Sequence, residues 1–176
     1  MSINLKIKSM KPVTLFLIIF SLFFTSAQSQ NKTASSGNGF SLGAELSLPI
    51  GTFGDIYSLG FGGSAQGNFS VAHDMALTLY AGYINYSLKQ IYGSGSQGYI
   101  PVLGGVEFDF APNIFGSGQL GLTFYSKGGG SAFTYSPGIG FRLSRNFSAL
   151  LKYTAQSKGG ATSSAVGLRA AYKFGK

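Results

Sequence analysis

Few residues in this 176-residue chain are equipped for catalysis. A hydrolytic set would need a histidine with a serine and a carboxylate. The one histidine is His73, followed directly by Asp74. Both stand in the short stretch Ala72-His73-Asp74 between two apolar segments, where polar residues ordinarily make a turn. Residues 93–98 read G-S-G-S-Q-G, the spacing of a dinucleotide-binding loop. No strand-to-helix pattern surrounds them, so they read as a flexible connection. Asparagine sequons at Asn68, Asn85 and Asn146 fall in alternating segments or a turn and read as chance. With no cysteine in the chain, disulfides and a lipidated N-terminal cysteine are both excluded. No catalytic, metal-binding or cofactor-binding residues are expected. What remains is a set of isolated charges, Glu45, Glu107, Lys152 and Arg169, each on the polar side of an alternating segment. The chemistry open to them is ion pairing within a folded interior.

The segments that carry these charges alternate with a period of two, the mark of β-strands with unlike faces. The clearest is 163–176, where Val166, Leu168, Ala170, Tyr172 and Phe174 oppose Ala165, Gly167, Arg169, Ala171 and Lys173. Near the other end, Phe40, Leu42, Ala44, Leu46 and Leu48 oppose Ser41, Gly43, Glu45 and Ser47, until Pro49 and Gly51 break the run. A second strand, 57–71, sets Leu59, Phe61, Ala65 and Phe69 against Gly60, Gly62, Ser64, Gln66 and Asn68. A third, 75–88, sets Leu77, Leu79, Ala81 and Tyr83 against Thr78, Tyr80, Gly82, Ile84 and Tyr86. Counting across the intervening turn brings Tyr86 near Gly60 and Ile84 near Gly62, so large side chains cover neighbouring glycines. The fourth, 99–110, alternates Ile100, Val102, Val106, Phe108 and Phe110 with Leu103, Gly105, Glu107 and Asp109. Strands over 114–125, 131–143 and from Phe147 to Thr154 follow the same rule. Pro137 removes a ladder donor in the sixth and should force a bulge there. The closing segment makes eight.

The N-terminus has its own pattern. Lys6, Lys8 and Lys11 precede the apolar run 12–24 and the small polar group T-S-A-Q-S-Q, which is the layout of a secretory signal peptide cut after Ala27. The run is shorter than the roughly 20 apolar residues a membrane-spanning helix needs. The expected organisation is a signal peptide at 1–27, a flexible lead-in at 28–38 and a β domain at 39–176. The formal charge of +8 falls to +5 without the three leader lysines, and nucleic-acid binding is not implied. Charged residues are 10% of the chain, against about 25% in soluble domains. Too few charges remain for a soluble surface, while 27 glycines and 44% hydrophobic residues suit a narrow barrel whose outside meets lipid.

Two regularities fix the arrangement as an all-β, eight-stranded, antiparallel up-and-down transmembrane barrel. Tight connections (A-H-D, A-P-N, S-R-N) alternate with longer Gly/Ser-rich ones, the short-periplasmic and longer-extracellular habit of outer-membrane barrels, with both termini periplasmic. Outward Phe40, Phe69, Phe108, Phe110, Phe141, Phe147 and Phe174 gather at one end. Tyr57, Tyr83, Tyr99, Tyr135 and Tyr153 lie toward the other, as two aromatic girdles. Over residues 40–174 the pattern resembles the small eight-stranded outer-membrane proteins of the OmpX/Ail and OmpA transmembrane-domain type. The resemblance implies residence in the outer membrane of a Gram-negative bacterium and contact with its lipid. It also implies insertion by the outer-membrane assembly machinery, which favours a terminal aromatic such as Phe174. Some barrels of this kind modify lipids through a histidine, a serine and a carboxylate, but His73 falls in a turn on the periplasmic side.

An eight-stranded barrel has room inside only for side chains. Glu45, Glu107, Lys152 and Arg169 should meet there at mid-height, with a Glu45–Arg169 pair across the seam between first and last strands and Tyr80 donating to Glu107. The ordinary reading is a network that satisfies itself; the other is a proton or ion path. On the outside, Ala44, Gly63, Ala65, Gly67, Ala81 and Gly104 form a patch of small residues on strands 1 to 4. A second membrane protein could approach closely there, although small residues also ease strand curvature. The expected role is a non-enzymatic barrel with a filled lumen, serving envelope structure or acting as a small subunit of a larger outer-membrane assembly. The alternative is adhesion or ligand binding through the loops, which carry only Asp55, Lys89, Lys127 and Lys158 as charges. A soluble ligand-binding barrel would need charge on its polar faces, which is scarce here.

Overall fold

A computed structural model describes residues 38–174 of the chain. The expected leader, the lead-in up to residue 37 and residues 175–176 lie outside them. Eight strands run in order Gly39–Ile50 (β1), Tyr57–Ala72 (β2), Met75–Leu88 (β3), Ser96–Ala111 (β4), Ile114–Tyr125 (β5), Ser131–Arg142 (β6), Phe147–Lys158 (β7) and Ala161–Phe174 (β8). Each pairs antiparallel with the next, and β1 pairs with β8 from Phe40↔Phe174 to Ile50↔Ser164, closing the barrel. Every strand has 12 to 16 residues, enough to cross a bilayer, which takes about 9–11.

The alternation decides which side each residue faces. Leu46, Phe61, Leu79, Leu120 and Leu151 are all half exposed or more on the outer wall, while Ser47, Gln66, Thr78, Gln119 and Lys152 are buried in the lumen. This is the inverse of a soluble barrel, and it is the arrangement hydrocarbon requires. The expected covering of glycines by large neighbours is present. Gly60 stands opposite Tyr86 and Gly62 opposite Ile84, and a Cβ on Gly60 would lie 2.5 Å from the Tyr86 ring.

Several local expectations are corrected. Pro49 does not end the first strand. Beyond Ser47 the strand pairs with β8 alone, so a missing donor on its other edge costs nothing, and pairing runs through Pro49↔Ala165 to Ile50. Pro137 produces no bulge either. The register to β5 passes through Gly118↔Pro137, and the ladder to β7 merely lacks pairs at Ser136 and Pro137. One lost donor needs no extra residue, and Ser136 Oγ bridges the gap to Thr154 Oγ1 at 2.9 Å. Register shifts occur instead near Tyr57, Ser70 and Asp109, all close to strand ends. The last connection is not a long loop: β7 and β8 are joined by Gly159 and Gly160 alone, both at positive φ as a type I′ hairpin turn demands.

The two rims differ. At the end holding the short turns, outward rings touch in series, Phe147 on Tyr172 at 5.0 Å and Tyr172 on Phe174 at 4.8 Å. At the other rim Tyr83, Tyr135 and Tyr153 face out. Tyr57 and Tyr99 do not join them, because Tyr99 shares parity with Leu103 and is buried while Tyr57 packs on the same internal cluster. Asn38, last residue of the expected lead-in, accepts a hydrogen bond from the Ser70 amide at 2.8 Å.

Candidate functional site

The lumen holds the polar residues singled out above, in layers that follow strand register. At its centre is Glu45, directly opposite Arg169 across the β1–β8 seam. Glu45 Oε1 lies 3.5 Å from Arg169 Nε, and Oε2 lies 3.0 Å from Lys152 Nζ. The same Oε1 accepts a hydrogen bond from Tyr80 Oη at 2.9 Å. Lys152 donates in turn to Tyr80 Oη at 3.2 Å and sits 4.5 Å from the centre of its ring. Arg169 is completed by Ser64 (2.9 Å) and Ser41 (3.0 Å). Gly43 makes room for it, since a Cβ there would come within 2.8 Å of Nε.

Tyr80 does not reach Glu107, as had been expected. Across β3 and β4, Tyr80 is level with Leu103 whereas Glu107 is level with Ala76, a full turn of the strand repeat closer to the turn end. Glu107 is held instead by Gln66 Nε2 and Asn68 Nδ2, each at 2.8 Å. Gln119 extends this amide layer to Gln66 (3.2 Å) and Thr78 (3.3 Å). Thus Glu45, Tyr80, Lys152 and Arg169 form one constellation and Glu107 belongs to another. Gln66, Asn68, Gln119 and Ser64 are the members that charge alone did not point to. Their signal was the inward parity of buried amides and hydroxyls, which must find partners.

Beyond each layer the two ends of the lumen differ in kind. Toward the long connections, residues 52–56 form a short helix (α1) that turns Phe53 into the barrel. Phe53 packs 5.0 Å from Tyr57, 5.1 Å from Tyr86 and 5.8 Å from Tyr99, and Tyr99 meets Tyr125 at 5.0 Å. These five rings cap the lumen, with Tyr86 Oη tied to Ser47 Oγ at 2.7 Å. Toward the turns, Arg142 Nη2 meets Asp109 Oδ1 at 2.6 Å and its guanidinium covers Phe115 at 4.7 Å. A cavity of about 90 Å³ opens beside them.

On the outer wall Ala44 faces Gly63, Ala65 faces Ala81, and Gly67 and Gly104 both pair with Leu79. Ala44, Gly63, Ala81 and Gly104 are exposed, while Ala65 and Gly67 are partly covered. Leu42, Gly63, Ala65, Ala81 and Tyr83 line a shallow open depression there. His73 is exposed in the β2–β3 turn. Among the described residues no cluster of three or more His, Cys, Asp or Glu could hold a metal.

A closed, inside-out antiparallel barrel with a packed polar lumen defines a class: the chain has the fold of the small eight-stranded outer-membrane barrels of the OmpX/Ail type. Solved structures agree with that assignment. Ail of Yersinia pestis in a phospholipid nanodisc matches with a TM-score of 0.57 at 15% identity, over 78% of this chain and 100% of that one. The N-terminal β-barrel domain of Pseudomonas aeruginosa OprF matches with a TM-score of 0.54 at 15% identity, over 78% of this chain and 98% of that one. A de novo designed transmembrane β-barrel matches with a TM-score of 0.54 at 18% identity, over 77% and 95%. No protein-family model matches the sequence, and no curated protein matches it. At these identities the likeness is one of fold.

Proposed function

We propose that this protein is a non-enzymatic integral barrel of a Gram-negative outer membrane, with the short turns and both termini on the periplasmic side. It serves envelope structure or acts as a small subunit of a larger outer-membrane assembly. The observation that carries the reading is the blocked lumen within an apolar wall: five aromatic rings cap one end and the Glu45 constellation fills the middle. Such an interior stiffens a wall rather than conducting through it. A non-catalytic role is supported by the placement of His73, which stands in an exposed turn far along the chain's polar periphery rather than beside the buried carboxylates. The subunit role draws on the small-residue patch Ala44, Gly63, Ala65, Gly67, Ala81 and Gly104, where a second membrane protein could pack closely.

Adhesion through the loops has less support. Ail of Yersinia pestis, an attachment invasion locus protein, has been solved with the heparin analogue sucrose octasulfate. In this chain α1 is folded over the lumen and the β7–β8 connection is a two-glycine turn, which leaves little surface for a partner. Membrane fractionation with heat-modifiable gel migration tests the main reading. The protein should partition with the outer membrane and migrate faster unheated than boiled; recovery in the soluble periplasmic fraction would rule it out.

A further inference from the structure

The turn end of the lumen is more positive than its carboxylates can balance. The cavity there, about 90 Å³, is lined by one carboxylate, Glu107, and four cationic side chains, Arg142, Arg145, Arg169 and Lys173. That is room for several waters or one small oxyanion. The carboxylates in reach are already engaged: Glu45 with Lys152 and Arg169, Asp109 with Arg142, Glu107 with Gln66 and Asn68. Among the described residues no carboxylate comes within ion-pair distance of Arg145. Asp74, in the β2–β3 turn, does not line the cavity. Cations gathered round a concavity with low-dielectric walls focus their field into it and draw an anion.

The β6–β7 turn that carries Arg145 is held in place. Ser144 Oγ accepts from the Phe147 amide at 3.1 Å, and Asn146 Nδ2 donates to the Lys173 carbonyl at 2.9 Å. Ser144, Asn146 and Ser148 add neutral polar groups to the lining. The floor is built from buried Ser41, Gln66 and Arg169. Leu143 and Phe147 flank Arg145 and are exposed on the outer wall, and Phe147 also lines the cavity. The opening therefore lies where the lumen mouth meets the lipid-facing rim.

We propose that this cavity binds a phosphate group, with Arg145 and Lys173 as its principal charged contacts. Phosphate suits the site because it brings several acceptor oxygens and more than one negative charge to forked and point-charge donors together. The group could come from a lipid headgroup, which the apolar flank of Arg145 would favour, or from a soluble phosphate.

The test uses the folded barrel in maltoside micelles, which contain no phosphate. Backbone amide NMR shifts are followed while inorganic phosphate, or separately a short-chain phosphatidylglycerol, is titrated in. Saturable shifts at Asn146, Ser148 and Lys173 are expected, with affinity weakened at least about fivefold in Arg145→Gln and in Lys173→Gln. Lys89→Gln, at the far rim, should leave it unchanged. Saturation by inorganic phosphate identifies a soluble source, and saturation by the lipid alone identifies the headgroup. No saturable shift with either probe, or the same shifts from chloride at equal ionic strength, would overturn the proposal. Arg145 is exposed on its turn, so Arg145→Gln decides the matter even if Lys173→Gln fails to fold.

Discussion

Glu45 serves two cations with one carboxylate, so its three single variants should not be equivalent. Removing Arg169 leaves Glu45 paired with Lys152, and removing Lys152 leaves it paired with Arg169. Removing the carboxylate abandons both cations in the lumen. Breaking a buried pair costs about 3–5 kcal/mol. We expect Glu45→Gln to fall at or above that range and Arg169→Met and Lys152→Met to fall below it, from urea midpoints of the refolded barrel. The Arg169→Met/Lys152→Met double variant should lose more than the sum of its singles, because Glu45 then keeps only the Tyr80 hydroxyl. Strict additivity would mean that the two cations do not share the carboxylate. Gly43→Val should push the Arg169 guanidinium off Ser41 and Ser64, at a cost of about 1–3 kcal/mol for overpacking. The seam pair was readable from inward parity on strands that must meet. Lys152 was placed in the lumen by the same parity, but its approach to Glu45 crosses the interior between strands that are not neighbours.

At the scale of elements, α1 is the piece that alternation could not foresee. Five residues are too few for an independent helix, and packing must supply what local bonding lacks. That packing is Phe53, buried among tyrosines, on a helix entered through Gly51 at φ 60°. Phe53→Ser should leave the strands and heat-modifiable migration intact while uncapping the lumen. Iodide quenching of tyrosine emission would then rise, since Tyr86 and Tyr99 lose their cover; unchanged quenching would mean that the rings close without Phe53. Pro137 makes a complementary case. Its effect is confined to a gap that Ser136 and Thr154 bridge by their hydroxyls, so Ser136→Ala should destabilise by about 0.5–1.5 kcal/mol, the net worth of one hydrogen bond. Equal stability in denaturant would show the bridge to be idle.

For the whole molecule, the outer wall offers the remaining test. A protein that docks through Ala44, Gly63, Ala65 and Ala81 should co-purify after gentle detergent extraction and be lost on Gly63→Phe with Ala65→Leu. Both substitutions point away from the lumen, so the barrel should still fold. Extraction as a lone barrel, in both wild type and variant, would leave the small residues as a matter of strand curvature only. The likeness to a designed transmembrane barrel bears on how far fold can be taken, since that chain shares the architecture at 18% identity. Architecture of this kind follows from pattern, and biological role has to be argued from the site.

The sequence by itself determined strand number, facing, neighbour order and the rims at which aromatics gather. Each of these follows from a local period of two and from turn chemistry that any short window contains. It also put Glu45 opposite Arg169, because closure leaves the first and last strands no other partners. Tertiary structure alone decided that Tyr80 bonds Glu45 and not Glu107, that Lys152 completes the same constellation, and that Phe53 with Tyr57 and Tyr99 caps the lumen. Those contacts span the interior, where distance is set by strand tilt and stagger around the whole barrel, quantities no single segment encodes.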